Sequence, residues 1–316
     1  MENRMELHAI QRNSNIVCNI SKQAIEETRE TESDERKNVN GFSSYTDETR
    51  TTSVPDINGE FSLKLSRMSL TGVRIGCLKK KLLILDINGL LADVVSPRPK
   101  DHKADRIVAG RAIFQRPFYT EFLKFCFEKF EVAVWSSRKK KNVQRVLDYL
   151  MADMKEKLLF YWDASHCTGT NVRTMENKHK KVLFKDLRNV WEKRYPNLPW
   201  EKGYFNESNT LLLDDSPYKA LLNPPHTSVF PLSFSYQNKS DDNSLADGGD
   251  LREYLNGLVN VESIPNYVEE HPFGQEPITK TSPSWNFYLQ VLDSLFASQL
   301  EDNVSANLNN QVHSSY

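Results

Sequence analysis

The chain has 316 residues, with 41 Lys and Arg against 42 Asp and Glu, so its net charge of −1 gives no overall attraction to nucleic acid or an anionic membrane. Hydrophobic residues make up 39%, enough for a packed core in one large or two small domains, while a mean hydropathy of −0.59 marks much of the chain as polar. No apolar run approaches the ~20 residues of a membrane helix. The four cysteines, Cys18, Cys77, Cys126 and Cys167, lack CxxC spacing, which argues against a disulfide framework or a structural zinc site.

In chain order, the opening Met1-Glu2-Asn3-Arg4 is no secretory signal. Glu2, Glu6, Glu26 and Glu27 are unlike an acid-poor transit peptide. An intracellular location, nucleus or cytoplasm before mitochondrion, is expected. Residues 1–73 are rich in Glu, Ser, Thr, Asn and Arg, and their aromatics are Phe42, Tyr45 and Phe61. Such a segment buries too little to offset its ordering entropy and is expected to be disordered. An ordered domain is expected over 74–300, with a disordered, Asn-rich tail over 301–316.

The apolar run Leu82-Leu83-Ile84-Leu85 reads as a buried strand ending on Asp86. The polar stretch from Ser96 to Asp101 reads as an insertion over the site. Arg116-Pro117-Phe118 opens a helix with proline in its first turn, and Phe118, Phe122 and Phe125 read as its core stripe. A second strand runs from Glu131 to Trp135 and ends on Ser136 and Ser137. A helix from Lys139 to Met151 follows, then a short strand from Leu158 to Trp162. His166 beside Cys167 reads as a buried thiol next to an exposed histidine rather than as a metal pair.

A further strand, Val182-Leu183-Phe184, ends on Lys185 and leads into a helix from Asp186 to Lys193. Leu211-Leu212-Leu213 ends on Asp214 and Asp215, and Ser216-Pro217 can begin a new helix. A last strand is expected from Ser228 to Leu232, and helices from Asp250 to Val259 and Trp285 to Phe296. Strands alternating with helices predict an α/β fold, a Rossmann-like parallel sheet with helices on both faces.

Ligands bind at the carboxyl ends of such strands. The order acid, hydroxyl, lysine, acid pair there is a set for phosphoryl transfer. It comprises a carboxylate nucleophile, an oxygen-holding donor, a fixed positive charge and carboxylates for Mg²⁺. Asp93 could supply a proton from the insertion or be a solvated loop acid. The basic run Arg138-Lys139-Lys140-Lys141 could attract an acidic phosphopeptide or be a solvated first helical turn.

These pieces, with Arg116-Pro117-Phe118, Val134-Trp135-Ser136-Ser137, Phe184-Lys185-Asp186-Leu187 and Asp214-Asp215-Ser216-Pro217 in that order, resemble the haloacid dehalogenase superfamily. More narrowly they resemble the phosphatase domain that acts on the RNA polymerase II C-terminal domain. The presequence-receptor subunit of the mitochondrial inner-membrane translocase shares that domain. The resemblance covers about 79–259. It implies that Asp86 attacks phosphorus, that Ser136, with Ser137 beside it, and Lys185 hold phosphate oxygens, and that Asp86, the carbonyl of Asn88 and the Asp214–Asp215 pair hold Mg²⁺. The family's second aspartate, a general acid and base, matches Asn88, and its threonine matches Leu90. Asn88 cannot transfer a proton, a step that typically contributes about 10²–10⁴-fold in rate.

The function expected from this resemblance is a Mg²⁺-dependent phosphoserine or phosphothreonine phosphatase that forms an aspartyl-phosphate and hydrolyses it slowly. Its partner is a phosphorylated protein or peptide, with no direct nucleic-acid contact. The alternatives are a catalytically inactive phosphopeptide-binding or scaffold protein, or a translocase subunit.

Overall fold

The computed structural model describes residues 80–313, with side chains to 299. The expectation of disorder over 1–73 lies outside the described residues. Five parallel strands form the central sheet in the order β10-β9-β1-β5-β6. Their ranges are β1 Leu82–Leu85, β5 Glu131–Trp135, β6 Tyr161–Trp162, β9 Thr210–Leu213 and β10 Ser228–Val229. The first strand lies at the centre, with Leu85 level with Val134 on one side and Leu213 on the other. A strand at that place is covered on both faces, which is why its sequence is a continuous apolar run.

Alternate residues enter two different cores. Leu83, Leu85, Val132, Val134, Leu211 and Leu213 face helices α1 (Tyr119–Lys129), α2 (Lys140–Leu150), α4 (Asp250–Leu258) and α5 (Ile264–Glu270). Leu82, Ile84, Ala133, Trp135 and Leu212 pack against Leu187 and Val190, which belong to and flank the short helix α3 (Arg188–Trp191), and against Trp200 and Phe205. The α/β architecture with both faces covered is therefore present.

Several local expectations need correction. The strand ending at Lys185 is not in the central sheet. Strand β8 (Lys181–Phe184) pairs antiparallel with β7 (Thr168–Arg173) in a separate two-stranded sheet. Its alternating burial, beginning on an exposed lysine, is that of a half-covered hairpin strand. Pro117 precedes the first helix rather than entering it, because Phe118 stands at the N-cap with φ 61°. That left-handed turn leaves the Phe118 ring 49% exposed, so it is not core. The insertion between Leu91 and Arg116 is a three-stranded antiparallel sheet, in the order β2 (Ala92–Val95), β4 (Arg111–Gln115), β3 (Arg106–Val108).

The last helix is α6 (Trp285–His313). Residues 301–313 contain neither Gly nor Pro, so nothing in the sequence stops the helix. Residues 314–316 lie outside the described residues. The buried side of this helix is Tyr288, Val291, Leu292 and Leu295, while Leu289 and Phe296 of the expected stripe are exposed. It packs on Val182, Phe184 and Tyr218. The Tyr288 and Tyr218 rings stack with centroids 5.7 Å apart.

The helix therefore covers the turn that carries Lys219. Tyr288→Ala should lower unfolding free energy by ~3 kcal/mol, read as a reduced guanidinium midpoint. An unchanged midpoint would mean that this helix does not support the domain.

Candidate active site

Asp86 follows the central strand, and its backbone N–H donates to Leu213 O at 2.9 Å. Asp214 follows the neighbouring strand β9, and its N–H donates to Val229 O at 3.2 Å. Ser136 follows β5 on the other side of β1, with its N–H on Trp162 O at 2.9 Å. These three residues thus stand at the carboxyl ends of adjacent parallel strands. Lys185 reaches the same place from the end of the hairpin. Its N–H donates to Lys219 O at 2.7 Å, and its carbonyl accepts from Asn223 Nδ2 at 3.0 Å.

The centre is an interlocked set of acids and lysines. Lys185 Nζ lies 2.5 Å from Asp214 Oδ2 and 3.4 Å from Asp86 Oδ1. Lys219 Nζ lies 2.6 Å from Asp86 Oδ2, 2.7 Å from Asp214 Oδ1 and 3.6 Å from Asp215 Oδ1. Asp86, Asp214, Lys185 and Lys219 are each at most 2% exposed. Asp86 Oδ1 also accepts from the Ile87 N–H at 2.8 Å.

Burial works against the Asp86 charge, but Lys185 and Lys219 outweigh it and hold this carboxyl well below the ordinary range. Burial and the neighbouring Asp86 charge push Asp214 up to about 6 against the same two lysines. Burial also opposes the Lys219 charge. Asp214, Asp86 and Asp215 more than compensate, so its pKa lies well above that of a free lysine and it is an ammonium.

The other expected residues divide. Asp215 joins the cluster and accepts from Ser216 Oγ at 3.0 Å and Ser233 Oγ at 2.8 Å. Asn88 Oδ1 accepts from the Val94 N–H and from Arg138 Nη2, each at 3.0 Å. Ser136 Oγ accepts from the Arg138 N–H at 3.4 Å. Ser137 is half-buried and, among the described residues, makes no hydrogen bond to the cluster. Leu90 is fully buried in the apolar core and its carbonyl accepts from Arg116 Nη1, so it fills no phosphate pocket. Asp93 is neither free nor fully solvated. Its Oδ2 accepts from the Tyr236 N–H at 3.1 Å, and burial raises its pKa.

The basic run splits. Arg138 clamps Asn88 and the Val94 carbonyl, whereas Lys139, Lys140 and Lys141 are exposed on the first turn of α2 and before it. His166 is not exposed as expected. It is half-buried, its ring stacked on Trp162 at 5.1 Å and tilted against Tyr195 at 4.7 Å.

Lys219 was missed. Ser216-Pro217 starts a single 3₁₀ turn, Pro217–Ala220. A lysine four residues after Asp215, with the chain turning back, is brought over the acid pair. That spacing was the available signal. A cleft of about 390 Å³, lined by Lys180, Asp215, Ser216, Tyr218, Gln275 and Tyr288, approaches the cluster from outside.

Among the described residues, Asp86, Asp214 and Asp215 form a group whose oxygens lie within 4.8 Å of one another, the acidic cluster expected of a cation site. Their donor chemistry suits a hard cation. Lys219, however, already lies between Asp86 and Asp214, and an ammonium and a Mg²⁺ ion do not fit that one place together.

Such a sheet, with a buried aspartate, a lysine and an acid pair at its carboxyl edge, defines an α/β domain of the haloacid dehalogenase kind. The model of the NLI interacting factor-like phosphatase family matches residues 81–265, more than half of the chain. The chain belongs to that family. It is 32% identical over 202 residues to an FCP1 homology domain-containing protein of Schizosaccharomyces pombe, covering 61% of this chain and 78% of that one. It is 25% identical to the ubiquitin-like domain-containing CTD phosphatase 1 of Danio rerio, covering 61% of this chain and 54% of the relative, so it spans about half of that protein's length. A solved structure of fission yeast RNA polymerase II CTD phosphatase Fcp1 overlaps 79% of this chain and 70% of that one at 14% identity, with a TM-score of 0.34. No helix among the described residues is long and apolar enough to cross a membrane.

The loop after β1 is pressed onto this site. Gly89 has φ +80°, and a Cβ there would lie 2.0 Å from Asp215 Oδ2. Gly89→Ala should therefore destabilise the protein by more than about 1 kcal/mol, measured by denaturant unfolding. A neutral result would mean that the loop moves freely away from Asp215.

Proposed function

We propose that this chain is a phosphoprotein phosphatase that acts on phosphoserine or phosphothreonine through an aspartyl-phosphate on Asp86, and that its proton-transfer step is slow. The observation that carries this reading is the convergence of Asp86, Lys185 and Asp214, with Ser136 on the next strand, at one edge of the sheet. Family membership and the similarity to CTD phosphatases support a phosphorylated protein as substrate and a nuclear or cytoplasmic setting.

In this mechanism the ionised Asp86 attacks phosphorus, and the bond from phosphorus to the serine or threonine oxygen breaks. Lys185 and Ser136 stabilise the phosphoryl oxygens as charge develops on them. Asn88 cannot protonate the leaving oxygen, which takes its proton from water. Water then attacks the aspartyl-phosphate and restores Asp86 with release of phosphate, again without a base at residue 88. The resemblance calls for Mg²⁺ at Asp86, Asn88 and the acid pair, which would supply charge neutralisation there, a place Lys219 takes between Asp86 and Asp214.

A second reading, phosphopeptide binding without turnover, is favoured by one observation. Asp86 is 2% exposed, and both of its oxygens are engaged. In that case the exposed Lys139–Lys141 segment and the outer cleft would carry recognition.

Asn88→Asp separates the two readings. The Val94 N–H and Arg138 that hold the Asn88 oxygen would accept a carboxylate in its place, so the variant should fold. Arg138 would keep the new group ionised, as a base for hydrolysis. Turnover of an activated aryl phosphate should rise by about 10²–10⁴-fold, and Asp86→Asn should abolish it. Wild type quenched in acid should carry phosphate on Asp86. Equal turnover in wild type and Asp86→Asn, or no turnover and no phosphoenzyme even in Asn88→Asp, would replace this proposal with the binding reading.

A further inference from the structure

We infer that the Lys219 ammonium is the resident cation of the acidic cluster, so that this site works without a divalent metal. The inference rests on the reading above only in taking Asp86, Asp214 and Asp215 as the cation-binding acids. Those three are the acids whose oxygens gather within 4.8 Å. Lys219 Nζ reaches all three, at 2.6 Å, 2.7 Å and 3.6 Å. The ammonium donates to Asp86 and Asp214 and stands in ion-pair range of Asp215. Lys185 takes the other oxygen of Asp86 and of Asp214, so the two lysines do not compete for the same atoms.

Charge balance points the same way. Three carboxylates and one lysine sum to −3 + 1 = −2, which a divalent ion would neutralise. With Lys219 present the sum is −3 + 2 = −1, and a divalent ion would then bring a buried site to +1 with like charges in contact. Mg²⁺ also requires six ligands at close to 2.1 Å in octahedral array. A lysine nitrogen already within hydrogen-bond range of two of the three acids excludes that shell.

Lys219 is not placed to swing aside. It is 2% exposed. Its N–H donates to Ser216 O at 3.0 Å, and its carbonyl accepts the Lys185 N–H at 2.7 Å. Tyr218 beside it stacks on Tyr288 of α6. On the cleft side, Lys180 lies over the Tyr218 ring at 5.9 Å. A second cation entering by that route meets positive charge.

A fixed ammonium neutralises Asp86 and Asp214, as a metal would, but it does not lower the pKa of a bound water as a metal does. The site would therefore be permanently loaded and independent of divalent-ion concentration.

The test is Mn²⁺ binding by the full chain, read by the paramagnetic signal of free Mn²⁺, beside thermal unfolding with and without Mg²⁺. Wild type stripped with a chelator should bind no stoichiometric Mn²⁺ in the millimolar range, and Mg²⁺ should not shift its unfolding temperature. Lys219→Met and Lys219→Gln should gain a saturable site, at least about tenfold tighter than wild type, and Mg²⁺ should raise their unfolding temperature by mass action. Stoichiometric Mn²⁺ binding by wild type, or equal affinity in wild type and both variants, would overturn the inference. If the variants fold only with Mg²⁺, that dependence counts for it, since the metal then replaces the missing ammonium. If both variants fail to fold under any condition, the wild-type titration still decides. None of these signals requires turnover, so a failed phosphatase assay leaves this result intact and counts only against the function proposed above.

Discussion

Two lysines holding two buried aspartates is the interaction on which the rest of the site depends. Lys185 and Lys219 each bind a different oxygen of Asp86 and of Asp214, and together the four residues are closed off from solvent. Buried ion pairs of this kind contribute little net stability compared with apolar packing, but removing one partner leaves an uncompensated charge at a cost of about 3–5 kcal/mol. The fold is arranged so that neither lysine is lost. One stands at the end of a hairpin strand and the other in a 3₁₀ turn, and a single backbone hydrogen bond ties the two segments together. The helix from Trp285 to His313 then covers both.

Around that cluster the polar residues are set by the ends of the strands. Asp86, Ser136 and the Asp214–Asp215 pair follow the carboxyl ends of central parallel strands, where the α/β architecture concentrates chemistry, and Lys185 joins them from the end of the hairpin strand β8. The two altered positions have separate structural roles. Asn88 is pinned by a backbone N–H and by Arg138, so it braces the loop that leads into the inserted sheet. Leu90 belongs to the core. Under the proposed function, an asparagine at 88 leaves no proton donor or acceptor there, while both residues serve the fold where they stand.

Most of the architecture was legible because buried parallel strands are continuous apolar runs, and Leu82–Leu85, Glu131–Trp135 and Thr210–Leu213 are written that way. The acids and the hydroxyl at their ends followed from strand direction. What escaped lacks that signal. Thr168–Arg173 is a polar, alternating strand with a register irregularity, so its pairing with the Lys185 hairpin strand could not be read from periodicity. Phe118 looked like core because helical spacing was extended one residue before the helix, onto the N-cap itself. Lys219 was hidden because its role depends on a 3₁₀ turn that folds the chain back over its own acids, and a lysine just past a Ser-Pro pair reads locally as solvated.

The most direct measurement is anomalous diffraction from crystals of the full chain grown in millimolar Mn²⁺. The account predicts no anomalous peak between Asp86 and Asp214, with Lys219 Nζ in contact with both carboxylates. A Mn²⁺ peak coordinated by Asp86 and by Asp214 or Asp215, with the Lys219 side chain turned out of the cluster, would contradict it.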